Sequence, residues 1–128
     1  MNETEKPAPA TGLLRVWKAF FYSISGFKLA YRDEAAFRQE LLLVVILTPL
    51  CVYLPLEPWL KVAIIFSHVL ILITELLNTA VESVVDKASP EFHHDAKKAK
   101  DTGSSAVLLS LFLTGGLWIY ATYILLAS

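Results

Sequence analysis

The fold is decided by one stretch without a charged side chain, Gly103–Ser128, which reads GSSAVLLSLFLTGGLWIYATYILLAS. A helix needs about 20 apolar residues to cross the hydrocarbon core of a bilayer, so this stretch is long enough by itself. A helix of a soluble bundle keeps one polar face, whereas the polar side chains of Val107–Leu126 are limited to Ser, Thr and Tyr. The stretch therefore predicts a transmembrane helix rather than part of an unusually apolar soluble bundle.

Two further runs without charged side chains precede this stretch, Leu41–Leu56 and Val62–Thr74. Each reaches spanning length once its flanking helical turns are included. We therefore expect spans at residues 35–55, 59–81 and 104–126, and an all-α integral membrane protein. The composition agrees, because 55% of the residues are hydrophobic, whereas about 45–50% is usual for a soluble domain.

Small residues in the third span indicate where it packs closely against another helix. A row of them recurs at helical spacing, and a glycine pair follows: Gly103, Ala106, Ser110, Thr114, Gly115 and Gly116. Small side chains let helix backbones approach one another within membranes. The sequence therefore predicts close packing along this row and at the glycine pair.

Lysine and arginine are unevenly distributed around the spans, and this asymmetry predicts orientation. Positive side chains before or at the start of the first span and between the second and third spans include Arg15, Lys18, Lys28, Arg32, Arg38, Lys87, Lys97, Lys98 and Lys100. The loop between the first and second spans contains Lys61 alone, and the C-terminal end contains none. The N-terminus and the second loop should therefore be cytoplasmic, and the C-terminus should lie on the outer side.

The chain before the first span divides into two parts. Residues 1–11 are polar and contain Pro7 and Pro9, so we expect a disordered tail and no signal peptide. Residues 13–31 place apolar and aromatic side chains at helical spacing among lysines. This pattern predicts an amphipathic helix in the cytoplasmic membrane interface, although a helix packed against the protein's own surface would show the same pattern. Residues 12–128 are expected to form one membrane domain.

The second span carries ionisable side chains that are expensive inside a membrane, at about 2.5–3.5 kcal/mol each near its centre. Four polar residues follow one another at spacings of three, four and four: Glu75, Asn78, Glu82 and Asp86. Because a helix turns by about 100° per residue, they share one narrow stripe. More polar residues lie where the first span begins and in the second loop: Glu34, Arg38, Gln39, Glu40, Glu91, His93, His94, Asp95, Lys97, Lys98, Lys100 and Asp101. Glu34 and Arg38 can also be explained as an ion pair along one helix.

Carboxylates beside lysines favour a site for a metal and a nucleotide. Mg²⁺ is usually held by one or two carboxylates together with substrate phosphates, and lysines neutralise the remaining phosphate charge. A cation- or proton-coupled transporter would use intramembrane carboxylates too, whereas a purely structural protein would have no use for them. A net charge of −1 gives no basic field for nucleic acid. His68, two turns before Glu75, is either a proton relay or a hydrogen-bonded packing residue.

Three blocks of the sequence resemble the prokaryotic diacylglycerol kinase family and occur in the family's order. They are EAAFRQE at 34–40, ELLNTAVESVVD at 75–86 and AKDTGSSA at 99–106, and the resemblance extends over residues 14–127. The resemblance implies a homotrimer in the bacterial inner membrane, with active sites shared between protomers and membrane lipids around it. It also implies transfer of the γ-phosphate of ATP to the primary hydroxyl of diacylglycerol, which gives phosphatidic acid. The rival activity within the family is that of undecaprenol kinase, but the first block looks more like the diacylglycerol branch.

The resemblance further implies roles for individual residues. Glu75 matches the catalytic base and Asn78 a polar residue beside the reacting groups, while Glu34 and Glu82 match the carboxylates that hold the nucleotide's Mg²⁺. The positions that match nucleotide contacts are Tyr22, Glu34, Glu82, Glu91, His93, Lys100 and Asp101. The positions that match the neighbourhood of the lipid substrate are Arg15, Gln39, Glu75 and Ser104. The sequence departs from the family's pattern at Phe92, where tyrosine is common, at Lys98, where arginine is common, and at Asp33, where asparagine is common.

Overall fold

The computed structural model describes residues 5–128, whose regular secondary structure consists of four α-helices. These are α1 (Gly12–Asp33), α2 (Ala35–Tyr53), α3 (Pro58–Ala88) and α4 (His94–Ala127). Residues 5–11, within the predicted tail, have no regular secondary structure, and residues 1–4 of that tail lie outside the described residues. The chain divides into two compact units, of which the first ends at Asp33 and the second spans Glu34–Ser128.

The first unit contains α1, which extends the predicted helix of residues 13–31 slightly at both ends. The helix begins at Gly12, whose φ of +66° lies in the left-handed region that glycine adopts without steric penalty. The exposed rings of Trp17 and Phe21 meet edge to face, with centroids 5.1 Å apart. At its other end the Arg32 guanidinium donates to the Asp33 carboxylate, and this ion pair raises the pKa of Arg32 above its ordinary value.

The second unit contains three helices that are each long and apolar enough to cross a membrane, as the sequence predicted. Their outward surfaces expose large apolar side chains, including Phe66 with 71% of its surface exposed and Ile119 with 73%. Soluble monomers rarely expose large contiguous apolar patches. The exposed faces of α2, α3 and α4 are therefore those of a protein that crosses the membrane several times.

The helices continue beyond the predicted spans at the ends that carry charged residues. α3 begins at Pro58, whose ring suits the first helical turn, and runs on to Ala88, seven residues past the predicted end at 81. α4 begins at His94, ten residues before the predicted start at 104. Backbone hydrogen bonding does not stop at the membrane surface, so the apolar run underestimates the length of each helix.

α3 lies in the middle of the unit and packs against both α2 and α4. An apolar cluster lies at the end where α2 joins α3, and consists of Cys51, Leu56, Leu60, Ile64 and Ala121. At the same end the Lys61 ammonium donates to the backbone carbonyl of Val52, 2.8 Å away, in the last turn of α2, where carbonyls lack helical partners. The unit therefore has one apolar end, and the carboxylate stripe of α3 lies toward the other.

Small residues of α4 contact α3 only in part as predicted. Ser110 and Thr114 are buried and hydrogen-bond to side chains of α3. A Cβ atom at Gly115 or Gly116, however, would meet nothing within 4 Å. The glycine pair does not pack closely within this chain, and its close packing against another helix stays a prediction.

Candidate functional site

The polar stripe of α3 passes from a buried region to an exposed one. Glu75 and Asn78 are buried, with 5% and 8% of their surfaces exposed, whereas Glu82 is half-buried and Asp86 is exposed. The Asn78 amide donates to Glu82 Oε1 over a long distance of 3.5 Å. The predicted stripe is therefore present, and its members become progressively more accessible to water toward the end of α3.

The start of α2 brings two more carboxyl groups to this stripe. Glu34 is the residue that precedes α2, and Glu40 lies half-buried on the helix. Both are near enough to Glu75 for their negative charges to repel its charge, and the Glu40 carboxyl lies within hydrogen-bonding reach of Glu75. The antiparallel packing of α2 on α3 therefore brings Glu34 and Glu40 to the polar stripe.

Glu40 is the functional candidate that the sequence reasoning missed. Its atom Oε2 is buried without a hydrogen-bond partner among the described residues. The sequence placed Glu40 in the polar set around the first span but gave it no role, because the register between α2 and α3 was not known. The sequence feature that could have identified Glu40 is its position inside a predicted span, about one and a half helical turns after Glu34.

A polar cavity of about 400 Å³ lies between the end of α3 and the beginning of α4. Among its lining residues are four of the predicted nucleotide contacts together with Asp86, and these are Asp86, Glu91, His93, Lys100 and Asp101. The Lys100 ammonium donates to Asp86 over 2.8 Å, and this ion pair, which lies before the apolar run of α4, raises the pKa of Lys100. Lys97 is paired with Asp101. The cavity thus presents both signs of charge within reach of one ligand.

His93 is held in place by the start of α4. Its Nδ1 accepts a hydrogen bond from the backbone N–H of Asp95, 3.1 Å away, which makes His93 the N-cap of the helix. Because Nδ1 accepts, Nε2 carries the proton of the neutral ring. The Asp95 carboxylate lies in the first turn, where the helix dipole stabilises negative charge. His93 therefore lines the cavity with a fixed ring.

Gly103 allows α4 to approach Asn78 closely. A Cβ atom at position 103 would lie 2.5 Å from Asn78 Oδ1, which no real Cβ contact tolerates. The same Oδ1 atom is buried without a hydrogen-bond partner among the described residues. Buried polar atoms are nearly always hydrogen-bonded, so an orphaned acceptor beside Glu75 marks a position where a ligand can bind.

The side chains near Glu75 suit a divalent cation that arrives with a nucleotide. The described residues contain no group of three or more His, Cys, Asp or Glu side chains that could hold a metal by themselves. Mg²⁺ needs fewer protein ligands when phosphates supply the others. Glu34 and Glu82 both lie near Glu75, and the orphaned Asn78 oxygen adds a hard donor. The donor set therefore fits Mg²⁺ bound together with phosphate.

The remaining predicted site residues are exposed on three different helices. Gln39 lies on α2, beside Glu40, and Ser104 lies on α4, beside Gly103. Arg15 and Tyr22 lie on α1, within the first unit. The lipid and nucleotide roles of these four residues stay predictions.

Known proteins resemble this chain over most of its length. A family model described as prokaryotic diacylglycerol kinase matches residues 21–122. The diacylglycerol kinase of Escherichia coli strain K12 is 39% identical over 108 residues, which are 84% of this chain and 88% of the relative. The diacylglycerol kinase of Pseudomonas aeruginosa is 44% identical with the same coverage, and that of Helicobacter pylori strain J99 is 38% identical over 92% of both chains. These matches confirm the resemblance of the three sequence blocks, and the chain belongs to the prokaryotic diacylglycerol kinase family of multi-pass membrane lipid kinases.

Proposed function

We propose that this protein transfers the γ-phosphate of ATP to the primary hydroxyl of diacylglycerol and produces phosphatidic acid. The main support is the gradient of burial along one face of α3. Glu75 and Asn78 are buried toward the apolar part of the helix, whereas Asp86 is exposed beside the polar cavity. A lipid hydroxyl arrives from the bilayer, and phosphate arrives from water. This gradient supports a base for the lipid hydroxyl at the buried part of the helix and a nucleotide at its exposed end, where the cavity lies.

Glu75 acts as the general base in this reaction. It lies one helical turn deeper than Asn78 and two turns deeper than Glu82, on the side from which the hydroxyl arrives. The carboxylate takes the hydroxyl proton as the hydroxyl oxygen forms its bond to the γ-phosphorus. The bond between that phosphorus and the bridging oxygen breaks, and ADP leaves with the electron pair. Glu40, which lies within hydrogen-bonding reach of Glu75, orients the base.

Glu34 and Glu82 hold Mg²⁺ in this proposal, and the loop cavity holds the nucleotide. Mg²⁺ supplies electrostatic stabilisation of the charge on the transferring phosphate. Lys100 lines the cavity and neutralises phosphate charge, while Glu91, His93 and Asp101 line the same cavity with hydrogen-bonding groups. These roles follow the family resemblance and agree with the chemistry of the side chains that line the cavity.

The proposal includes a homotrimer with shared active sites in the bacterial inner membrane. Exposed apolar faces on all three spans provide surface for self-association.

The asymmetry of lysine and arginine supports cytoplasmic placement of the cavity between α3 and α4. A reporter fused after Ser128 should accordingly be active only on the outer side, and activity confined to the cytoplasm would contradict this orientation.

A purified-protein assay tests the proposed substrate. The full chain in lipid nanodiscs would be given radiolabelled ATP, Mg²⁺ and either diacylglycerol or undecaprenol, and labelled phosphatidic acid is expected. Preferential labelling of undecaprenol would support the rival kinase activity. Cation flux into liposomes without consumption of ATP would support the transporter. Glu75→Gln removes the proposed base, and its matched control is Glu57→Gln, which removes an exposed carboxylate at the apolar end.

A further inference from the structure

His68 is fully buried in the middle of α3, and both of its ring nitrogens are hydrogen-bonded to other helices. Nδ1 lies 2.8 Å from the hydroxyl of Thr48 on α2. Nε2 accepts from the indole N–H of Trp118 on α4, 3.0 Å away, and the two rings are stacked within 17° of parallel. One imidazole therefore connects α2, α3 and α4.

These two bonds define the protonation of the ring. The indole nitrogen of Trp118 can only donate, so Nε2 of His68 must be unprotonated. Nδ1 then carries the proton and donates to Thr48. A second proton, on Nε2, would set two donors against each other within a site that excludes water. The side chains that hydrogen-bond to His68 among the described residues, Thr48 and Trp118, are not ionisable, so this ring is unsuited to relay a proton to Glu75.

Further contacts between α3 and α4 continue from His68 toward Glu75 and Asn78. Thr114 donates to the Ser67 hydroxyl over 2.9 Å. Further along, the hydroxyl oxygens of Thr74 and Ser110 lie 3.0 Å apart. Thr74 precedes Glu75 directly. The next such contact is the close approach of Gly103 to Asn78, so the antiparallel register at His68 continues to the reacting groups.

The contacts between α2 and α3 follow the same antiparallel register. Thr48 lies about two helical turns after Glu40, and His68 lies about two turns before Glu75. The antiparallel pairing of Thr48 with His68 therefore continues into the pairing of Glu40 with Glu75. A shift of α2 along α3 that broke the first pair would separate the second by the same distance.

We infer that His68 is a positioning residue for phosphoryl transfer: as a neutral ring protonated on Nδ1, it fixes the register in which α2 brings Glu40 to Glu75 and α4 brings Gly103 to Asn78. Fully satisfied polar networks in an apolar interior specify one arrangement of the elements that they join, and such bonds recur between membrane helices. A displacement of about 1 Å at the reacting groups can cost about 10²-fold in rate. The catalytic part of this inference rests on the proposed kinase reaction.

Substitutions at His68 and at its two partners test the two hydrogen bonds one at a time. His68→Asn keeps a donor near the position of Nδ1, His68→Gln keeps an acceptor near that of Nε2, and His68→Leu removes both. Thr48→Val and Trp118→Phe remove one partner each and disturb packing less. We expect kcat per folded protein to fall by up to about 10²-fold in His68→Leu and by less in the other four variants, with the KM for MgATP and the pH profile unchanged.

Two kinetic outcomes would overturn the inference. One is an unchanged kcat per folded protein in His68→Leu, Thr48→Val and Trp118→Phe with only a lower melting temperature, which would make the network purely structural. The other is a fall of kcat toward acid pH that the wild type shows and His68→Leu lacks, which would make His68 a proton carrier.

Nitrogen NMR of the full-length protein with ¹⁵N-labelled histidine tests the ring directly. The His68 signals are identified by their loss in His68→Asn, since the chain has three histidines. We expect one protonated nitrogen, Nδ1, from about pH 5 to about pH 8, the range in which an ordinary histidine titrates. A proton on Nε2, or titration within this range, would overturn the inference. These signals do not depend on the lipid substrate, so failure of wild-type protein to phosphorylate diacylglycerol counts against the proposed function alone.

Discussion

The two ends of the second unit differ in whether their buried polar groups are hydrogen-bonded. Around the middle and the apolar end, the buried polar side chains Ser67, His68, Ser110 and Thr114 all have hydrogen-bond partners. At the charged end, three buried side-chain atoms of the described residues have none, and these are Glu40 Oε2, Asn78 Oδ1 and Thr79 Oγ1. Unsatisfied groups weaken a fold. Their confinement to one end separates the part of the bundle that holds the fold together from the part that we propose to bind ligands.

The largest expected effect at the charged end is that of Glu75→Gln. Glutamine keeps the size and the hydrogen bonding of the side chain but cannot accept the hydroxyl proton, and general-base catalysis is typically worth about 10²–10⁴-fold. We expect kcat to fall by at least that order while MgATP still binds, as measured by steady-state kinetics and nucleotide titration.

Glu57→Gln, at the apolar end, should leave kcat unchanged and so controls for the loss of one negative charge. Retention of most of the kcat in Glu75→Gln would require another base. Asp101, in the wall of the polar cavity, would then be the next candidate.

The next largest effect is expected for the proposed metal ligands. Glu34→Gln and Glu82→Gln should each raise the Mg²⁺ concentration that gives half-maximal activity by at least about 10-fold, since even outer-shell substitutions cost 10–100-fold in metal affinity. The measurement is a Mg²⁺ titration of activity at fixed ATP, with thermal unfolding to show that each variant folds. An unchanged metal requirement in both variants would exclude these residues as ligands.

The sequence was sufficient for the features that depend on one helix at a time. Charge-free runs identified three spans, and the spacing of Glu75, Asn78 and Glu82 identified the stripe on α3. Contacts between helices were not accessible in this way. Glu40 and Glu75 are far apart in the sequence, and so are His68 and Trp118. Their pairing depends on the register of one helix along another, which the pattern within a single helix does not determine.

Gly103→Ala tests one such contact and should have an intermediate effect. The new Cβ atom would lie 2.5 Å from Asn78 Oδ1, so the Asn78 amide must move while the backbone stays. We expect kcat to fall by about 10-fold or more, because small displacements at reacting groups are costly, with little change in melting temperature. Gly115→Ala is the matched control on the same helix, since its Cβ atom would meet nothing within 4 Å. Equal activity of the two variants would show that the position of Asn78 does not matter for the reaction.

The smallest effect on catalysis is expected at the apolar end, from Leu60→Ala. Leu60 is fully buried in the apolar cluster, and truncation of a buried leucine destabilises by about 2–5 kcal/mol. We therefore expect a clearly lower melting temperature but an unchanged kcat per folded protein, measured on the same sample by thermal unfolding and by lipid phosphorylation. Leu109→Ala, whose side chain is exposed on α4, should change neither quantity appreciably. If Leu60→Ala lowered kcat as strongly as Gly103→Ala, packing at the apolar end would control the geometry at Glu75, and the two ends would act as one unit.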